Sequence, residues 1–258
     1  MKKAFTMIEL VFVIVVVGIL SYMVASSFTR NPLREAADQV VSHIRYTQHL
    51  AMTDDKFVPN ISLSTTSGFA ASREVEFWYK GRWQLAFHKE TSGTKCTSTD
   101  SVHWSYSVFS DGPGKPNLAT GGYTGNPDDS EIAKNPLDPT RYLTGGYTTS
   151  TVACTDKEAT KTMNLGYTYG IKDVNFAGGC DVSDNRNQRL AFDFLGRPLY
   201  DKIDDLDSVY YEGSRNLLII SQCRIELCQT VPCSSATSDE KITIAVEPET
   251  GYAHILSN

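Results

Sequence analysis

Cysteines are the side chains in this sequence with the clearest capacity for chemistry. The six are Cys96, Cys154, Cys180, Cys223, Cys228 and Cys233. The last three have four residues between each neighbouring pair. That spacing would suit a zinc knuckle, but no nearby histidine completes a ligand set, which makes zinc the weaker alternative. An even number of cysteines predicts up to three disulfides in an oxidising compartment, and the sequence does not choose their pairing.

Carboxylates form the next candidate site. Asp201, Asp204, Asp205 and Asp207 make an acidic run that could bind calcium, as loops of carboxylates do. The run has no glycine at a turn position and no distal glutamate to complete a recognisable calcium loop. We therefore favour a solvated acidic loop, and we expect neither a metal nor another cofactor.

Catalytic motifs are missing from the sequence. It contains no Gly-x-Ser-x-Gly, no His-Glu-x-x-His and no glycine-rich phosphate cradle after a strand. His88, His103 and His254 fall in strand-like segments, and His43 and His49 are six residues apart, too far round a helix to share a metal. We predict that the chain is not an enzyme. Its net charge of −6 argues against a general surface for nucleic acid.

One carboxylate stands at an unusual place. Glu9 precedes the apolar run LVFVIVVVGILSYMVA, and residues 10–29 carry no charged side chain. As a helix, such a run would span roughly 30 Å, the thickness of a bilayer core. A carboxylate that enters hydrocarbon is costly, so Glu9 calls for a function. Lys2 and Lys3 predict a cytoplasmic N-terminus, and the later cysteines then lie across the membrane. A secretory signal peptide is the alternative.

The residues at this entrance resemble the leader of type IV pilins and of type II secretion pseudopilins. That family has a short basic leader, a small residue, then Phe-Thr-Leu-Ile-Glu-Leu and an apolar helix. Residues 2–4 here are Lys-Lys-Ala, and residues 5–10 are Phe-Thr-Met-Ile-Glu-Leu. The sequence departs from the pattern at Ala4, where glycine is usual, and at Met7, where leucine is usual. Ala4 is still small, so we expect cleavage there, at a reduced rate.

The resemblance implies a processing site and a set of partners. A prepilin peptidase would cut between Ala4 and Phe5, and Phe5 would become the N-methylated first residue. The Glu9 carboxylate would then neutralise the terminal amine of a neighbouring subunit during assembly. Implied partners are the peptidase, other pseudopilins or pilins that pack through the N-terminal helix, and an inner-membrane assembly platform. The implied location is the bacterial inner membrane, single-pass, with the C-terminal domain in the periplasm.

A second helix and several strands are predicted after the apolar run. The pair Asn31-Pro32 marks a break. Apolar residues then recur at three- and four-residue steps from Leu33 to Ala51, which predicts an amphipathic helix that ends near residues 54–55. Alternating apolar residues predict a hairpin over residues 75–87, a strand over 190–194 and a closing hairpin over 242–256. The apolar run in residues 216–222 predicts a buried strand.

These elements indicate an α+β fold, in which a long N-terminal helix, transmembrane and then amphipathic, packs on an antiparallel sheet domain. We expect a leader at residues 1–4, an assembly helix at 5–30 and a pilin-like periplasmic domain at 31–258. The end of the second helix, the segment Phe-Asp-Phe-Leu-Gly-Arg-Pro at 192–198 and the closing hairpin resemble, more weakly, H-type minor pseudopilins. The implied function is that of a structural subunit of the type II secretion pseudopilus.

The middle of the chain, residues 91–187, has no resemblance to guide it. It is rich in glycine, threonine and tyrosine, and Thr-Gly-Gly-Tyr-Thr occurs at residues 120–124 and again at 144–148. We interpret it as a loop-rich insertion, in preference to a binding surface built from tyrosines. Two functional alternatives stay open: a minor pilin of a type IV pilus or DNA-uptake machine, and a membrane-tethered β-domain that acts as a binding module or hydrolase.

Overall fold

The computed structural model describes residues 6–27, 31–54, 81–90, 103–112, 125–146, 157–181, 188–200, 211–212 and 215–256. The chain divides into two compact units, Met1–Asn31 and Pro32–Asn258. The first contains helix α1, Met7–Ser27. The second begins with helix α2, Pro32–Thr53. The predicted N-terminal helical region is therefore two helices, and the break predicted at Asn31-Pro32 coincides with the start of the second.

Helix α2 forms because its sequence places one apolar stripe on a polar helix. Pro32 occupies the first helical position, where its fixed φ and missing N–H are tolerated. The buried residues follow the predicted spacing: Leu33, Ala36, Ala37, Val40, Val41, Ile44, Thr47 and Ala51. Arg34 and Asp38 form an exposed ion pair on the opposite face. The predicted amphipathic helix is confirmed, and its stripe belongs to the main core.

Two four-stranded antiparallel sheets complete the core with α2. The first sheet has the order β2-β1-β4-β5, with β1 at Trp83–Glu90, β2 at His103–Ser110, β4 at Arg189–Phe192 and β5 at Pro198–Tyr200. The second has the order β10-β9-β8-β3, with β3 at Asp173–Gly178, β8 at Cys223–Cys228, β9 at Lys241–Val246 and β10 at Ala253–Ile255. A short ribbon pairs β6, Tyr211–Glu212, with β7, Arg215–Asn216. The coarse prediction, a helix packed on antiparallel sheets in an α+β fold, is confirmed.

The first sheet is buried on both faces. Leu85 and Phe87 of β1 point into the main core, while Ala86 packs with Phe109 and Ile132 on the other side. Ile132 lies in residues 131–146 of the insertion, which also pair with the outer edge of β2. Such a cover removes a free sheet edge, which would otherwise be open to other chains.

Within residues 91–187 the described parts are more regular than the predicted loops. They include β2, β3, a 3₁₀ turn at Lys161–Met163 and a short helix, α3, at Leu165–Tyr169. Asn164 caps α3 by accepting from the Tyr167 backbone N–H at 3.0 Å. Part of this segment is therefore folded core.

One predicted strand is wrong. Residues 217–220 do not form a strand: only Leu218 makes an isolated bridge, to Leu199 of β5. Leu217 and Ile219 are buried and Ile220 is 76% exposed, so the run lies as an extended segment beside β5. The strand is instead β8, immediately after it. The strand predicted over 190–194 is confirmed only as far as Phe192, because β4 spans Arg189–Phe192 and Phe194 is 53% exposed in the turn that follows. The closing hairpin is confirmed as β9 and β10. Residues 75–80 of the first predicted hairpin lie outside the described residues, and β1 confirms its second half.

Candidate functional site

Glu9 lies at the N-terminus of α1, where it forms a capping box with Thr6. The Glu9 backbone N–H donates to Thr6 Oγ1 at 3.4 Å. In return, Glu9 Oε2 accepts from the Thr6 backbone N–H at 3.4 Å and from its hydroxyl at 3.3 Å. A Ser or Thr followed three residues later by Glu is the sequence signature of this motif. The capping box was not predicted above, although both residues are visible in the sequence, because Glu9 was considered only as a charge.

The capping box gives Glu9 a structural role that needs no partner subunit. It supplies partners to backbone donors that the first turn of a helix leaves unsatisfied. A carboxylate there also interacts favourably with the helix dipole. The predicted role in assembly and this local role differ in one property: capping needs an acceptor oxygen, whereas neutralising an amine needs a negative charge.

The rest of α1 is apolar, and its described side chains are exposed to solvent. Each side chain described from Thr6 to Met23 is exposed, among them Phe12 at 70% and Ile14 at 59%. A helix that is apolar on all sides normally lies in a protein core or a membrane. Among the described residues, no helix reaches the length and hydropathy that a membrane crossing requires. The predicted cleavage residues, Ala4 and Phe5, lie outside the described residues.

Four cysteines form two disulfides in the second unit. Cys180 bonds Cys223, with a Cα–Cα distance of 5.0 Å, and Cys228 bonds Cys233, with a Cα–Cα distance of 5.4 Å. The prediction of disulfides is confirmed for these four residues. The zinc alternative fails for Cys223, Cys228 and Cys233, because their sulfur atoms are bonded to sulfur. Cys96 and Cys154 lie outside the described residues, so a third bond stays a prediction.

Both disulfides are attached to β8. Cys223 is the first residue of this strand and Cys228 is the last. One bond ties β8 to the end of β3, and the other ties it to the 3₁₀ turn Cys233–Ser235. Because β8 sits between β3 and β9, the two bonds fix an inner strand of the second sheet at both ends.

The insertion depends on a glycine of the repeated motif. Gly145 N–H donates to Tyr106 O of β2 at 3.0 Å. A Cβ on Gly145 would lie 2.5 Å from the Met163 carbonyl carbon and 2.6 Å from Asn164 N, which are backbone atoms. Only glycine fits such a close approach. The second copy of Thr-Gly-Gly-Tyr-Thr therefore has a packing role in its first three residues, rather than being loop sequence without constraint. The first copy and the tyrosine of the second lie outside the described residues.

The histidines divide into buried and exposed positions. His88 is 7% exposed, and burial lowers its pKa well below the usual value, with a further contribution from the nearby Arg189 cation. His49 is exposed on α2. His254 lies 3.8 Å from a Glu247 carboxylate oxygen and stacks on Tyr252. The side chain of His103 is outside the described part.

His43 is an exception to the expectation that the α2 histidines are simply solvated. Its Nδ1 lies 2.7 Å from the Tyr106 hydroxyl, and burial lowers its pKa to about 4. Tyr106 is fully buried and also accepts a hydrogen bond from Gln39 Nε2 at 2.7 Å. This polar site was not predicted from the sequence, since a single tyrosine on a strand carries no signal of a partner on a distant helix.

Metal binding finds no support in the described part of the chain. No group of three or more His, Cys, Asp and Glu side chains there is placed to hold an ion. The acidic run from Asp201 to Asp207 lies outside the described residues.

Comparison with known protein families, with curated proteins and with solved structures gave no match. Functional inference therefore rests on the residues themselves.

Proposed function

We propose that this chain is a pseudopilin, a structural subunit of an inner-membrane pseudopilus in a type II protein secretion system. The observation that carries the proposal is α1: an apolar helix, exposed along its described length, with one carboxylate at its entrance. A bilayer first covers such a helix, and neighbouring copies cover it after assembly. The sequence is the basis for proposing a membrane segment here. Its uncharged run continues to Thr29, beyond the end of α1 at Ser27.

Processing fits the same proposal. Prepilin peptidase cuts between Ala4 and Phe5, which removes Lys2 and Lys3 and leaves a positive amine on Phe5. The second unit stays in the periplasm, an oxidising compartment in which Cys180–Cys223 and Cys228–Cys233 would persist. The net charge of −6 favours protein secretion over the alternative of DNA uptake, because a DNA-binding subunit gains from positive charge.

The Glu9 carboxylate supplies the assembly step. It pairs with the Phe5 amine of a neighbouring subunit in the low-dielectric core of the filament. Ion pairs there require good geometry, and loss of one partner leaves the other charge buried and unpaired. This pairing sets the register of one subunit against the next.

A three-variant experiment separates assembly from helix capping. Glu9→Gln keeps an acceptor oxygen for Thr6 but removes the charge, and glutamine is accepted at this position of a capping box. Thr6→Ala removes the hydroxyl of the box but keeps the charge. Glu9→Ala removes both functions of Glu9. The readout is incorporation into cross-linked assemblies in a bacterial host that contains a prepilin peptidase and the other pseudopilins.

We expect Glu9→Gln and Glu9→Ala to fail in assembly, while Thr6→Ala assembles nearly as the wild type does. If Glu9→Gln assembles normally and only Thr6→Ala and Glu9→Ala fail, Glu9 is a helix cap and the assembly role is wrong. N-terminal sequencing of the mature protein supplies an independent check. A methylated Phe5 terminus is expected, and an uncut Met1 in the same host would contradict the proposal.

A further inference from the structure

A chain of polar side chains crosses the packed interface between α2 and the insertion. We name it the α2 polar chain, and its members are Gln39, His43, Tyr106 and Tyr169. The Tyr169 hydroxyl donates to Gln39 Oε1 at 3.1 Å. Gln39 Nε2 donates to the Tyr106 hydroxyl oxygen at 2.7 Å and to Thr162 O at 2.9 Å. Tyr106 and His43 Nδ1 are 2.7 Å apart.

The directions of these hydrogen bonds are fixed by proton counting. Gln39 Nε2 has two protons, and its two acceptors are Tyr106 Oη and Thr162 O. The Tyr106 hydroxyl has a single proton to give, and it cannot give it to the Gln39 NH₂ group. It therefore donates to His43 Nδ1, which must be unprotonated. The whole chain is satisfied only when His43 is neutral, with its proton on Nε2.

Protonation of His43 reverses the hydrogen bond between His43 and Tyr106, and it leaves the Tyr106 hydroxyl proton without an acceptor. The Nδ1–H would then donate to Tyr106 Oη, and the Tyr106 proton would face two donors in a fully buried site. The amide of Gln39 can accept that proton only by rotating its oxygen toward Tyr106. That rotation also turns the oxygen toward the carbonyl of Thr162, so the bond from Gln39 to Thr162 is lost. If the Gln39 amide does not rotate, the Tyr106 hydroxyl proton stays buried without an acceptor, which is costly.

Among the described residues, the groups that face His43 are neutral aromatic and amide side chains. Tyr106 faces it from β2, and Phe87 of β1 packs against the Tyr106 ring in a tilted arrangement. Tyr169 approaches from α3 through Gln39. Burial is the cause of the low pKa of His43, and no charged side chain in the described part of the chain contributes to it. Burial also raises the pKa of Tyr106, so its hydroxyl keeps its proton throughout.

We propose that the α2 polar chain is an acid-sensitive latch: protonation of His43 on α2 loosens the 3₁₀ turn Lys161–Met163, within segment 157–169 of the insertion, by breaking the Gln39–Thr162 bond. Thr162 lies in the 3₁₀ turn Lys161–Met163, which leads directly into α3. Release of this turn loosens its attachment to α2 and to β2. Tyr106 is the one member of the α2 polar chain that lies on a strand, and that strand belongs to the first sheet. We therefore expect the amides of the second sheet to stay protected from hydrogen exchange.

Amide hydrogen exchange tests the latch on the full chain in detergent micelles. Protection of segment 157–169 is compared with that of β8 and β9 as the medium is acidified from about pH 7 to about pH 4, after correction for intrinsic exchange rates. The wild type is expected to lose protection about 10- to 100-fold in this segment, because the opened state lets His43 titrate at its usual pKa. The strands should change much less.

Three variants make the test specific. His43→Gln keeps an acceptor for Tyr106 but cannot be protonated, and Tyr106→Phe removes the hydroxyl that links His43 to Gln39. Both are expected to abolish the acid-dependent loss in segment 157–169. His49→Gln removes an exposed histidine of the same helix and should behave as the wild type does. The latch is refuted if His43→Gln loses protection as the wild type does, if Tyr106→Phe retains the acid response, or if β8 and β9 lose protection equally in the wild type.

Discussion

The two disulfides close loops of very different length, and this difference predicts unequal losses of stability. Cys180 and Cys223 are 43 residues apart in the sequence, and Cys228 and Cys233 are 5 apart. Each bond can be removed by replacing both of its cysteines with alanine. All four residues are at most 2% exposed, so the two double variants lose comparable packing. They also remove the bonds from the two ends of the same strand.

A disulfide stabilises a fold mainly because it restricts the unfolded chain, and the restriction grows with the logarithm of loop length. From the two separations, removal of Cys180–Cys223 should cost about 4 kcal/mol and removal of Cys228–Cys233 about 2 kcal/mol. The difference of about 2 kcal/mol is the decisive quantity, because the packing losses of the two variants largely cancel in it. For a chain of this size it corresponds to a shift of about 4–8 °C in the thermal midpoint.

Equilibrium unfolding in urea measures this difference. Trp104 is 2% exposed in the first sheet, so its fluorescence reports unfolding of the second unit, and far-UV circular dichroism checks that both signals change together. Cys96 and Cys154 stay unchanged in both variants. If the variant that lacks Cys228–Cys233 is as unstable as the variant that lacks Cys180–Cys223, or more so, the loop-length argument is wrong for this fold.

Three further predictions concern packing and charge in the second unit. Gly145→Ala should cost about 2–3 kcal/mol of unfolding free energy in urea, because its Cβ would meet the Met163 backbone at 2.5 Å. Asp193→Ala should cost a similar amount in the same assay, since this fully buried carboxylate accepts from the Arg197 backbone N–H and guanidinium, both at 2.8 Å. The lowered pKa of His43, about 4, favours the neutral ring in the folded state, so its contribution is complete above about pH 6.5 and is lost as the pH falls toward 4. That contribution is at most about 3 kcal/mol, and urea unfolding against pH should show it in wild type but not in His43→Gln.

The sequence was sufficient where one residue pattern dictates one structure. The stripe from Leu33 to Ala51 predicted α2 nearly to its end, because apolar spacing and Pro32 agree with each other. The closing hairpin was equally visible, since alternating residues surround a turn that ends in Gly251. Gly251 has a φ of +64°, a conformation that favours glycine. In both cases the signal is local.

Prediction failed where the structure depends on distant partners. The run at 217–220 is apolar enough for a strand, yet β5 meets it through a single bridge and Ile220 is left exposed. In contrast, β8 places Cys223, Ile225 and Leu227 alternately toward the core. The alternation was not recognised as a strand pattern, because Cys223 was considered only as a disulfide candidate. Part of the signal was therefore present and was assigned to the wrong property.

The part of the insertion that covers β2, residues 131–146, could not have been predicted by any local pattern. Its described parts pair with β2 through bonds such as Val108 N–H to Leu143 O and Ala133 N–H to Val108 O, both at 2.9 Å. These pairings join short irregular segments rather than long alternating strands. Gly145 shows why a glycine-rich composition misleads: the glycine is there for a close approach of two backbones, and the same residue type also occurs in open loops.

The capping box changes how the role of Glu9 should be understood, because capping and assembly need not compete. In the separate chain, Thr6 satisfies one carboxylate oxygen, so Glu9 enters the apolar helix in a fixed orientation and not as a free charge. Those bonds are long, at 3.3–3.4 Å, and exposed, which makes them easy to exchange for a stronger ionic partner. In the proposed filament, a neighbouring amine would replace or join Thr6 at the Glu9 carboxylate. A pre-oriented carboxylate loses less entropy on pairing, so the same two residues that begin the helix would also lower the cost of assembly.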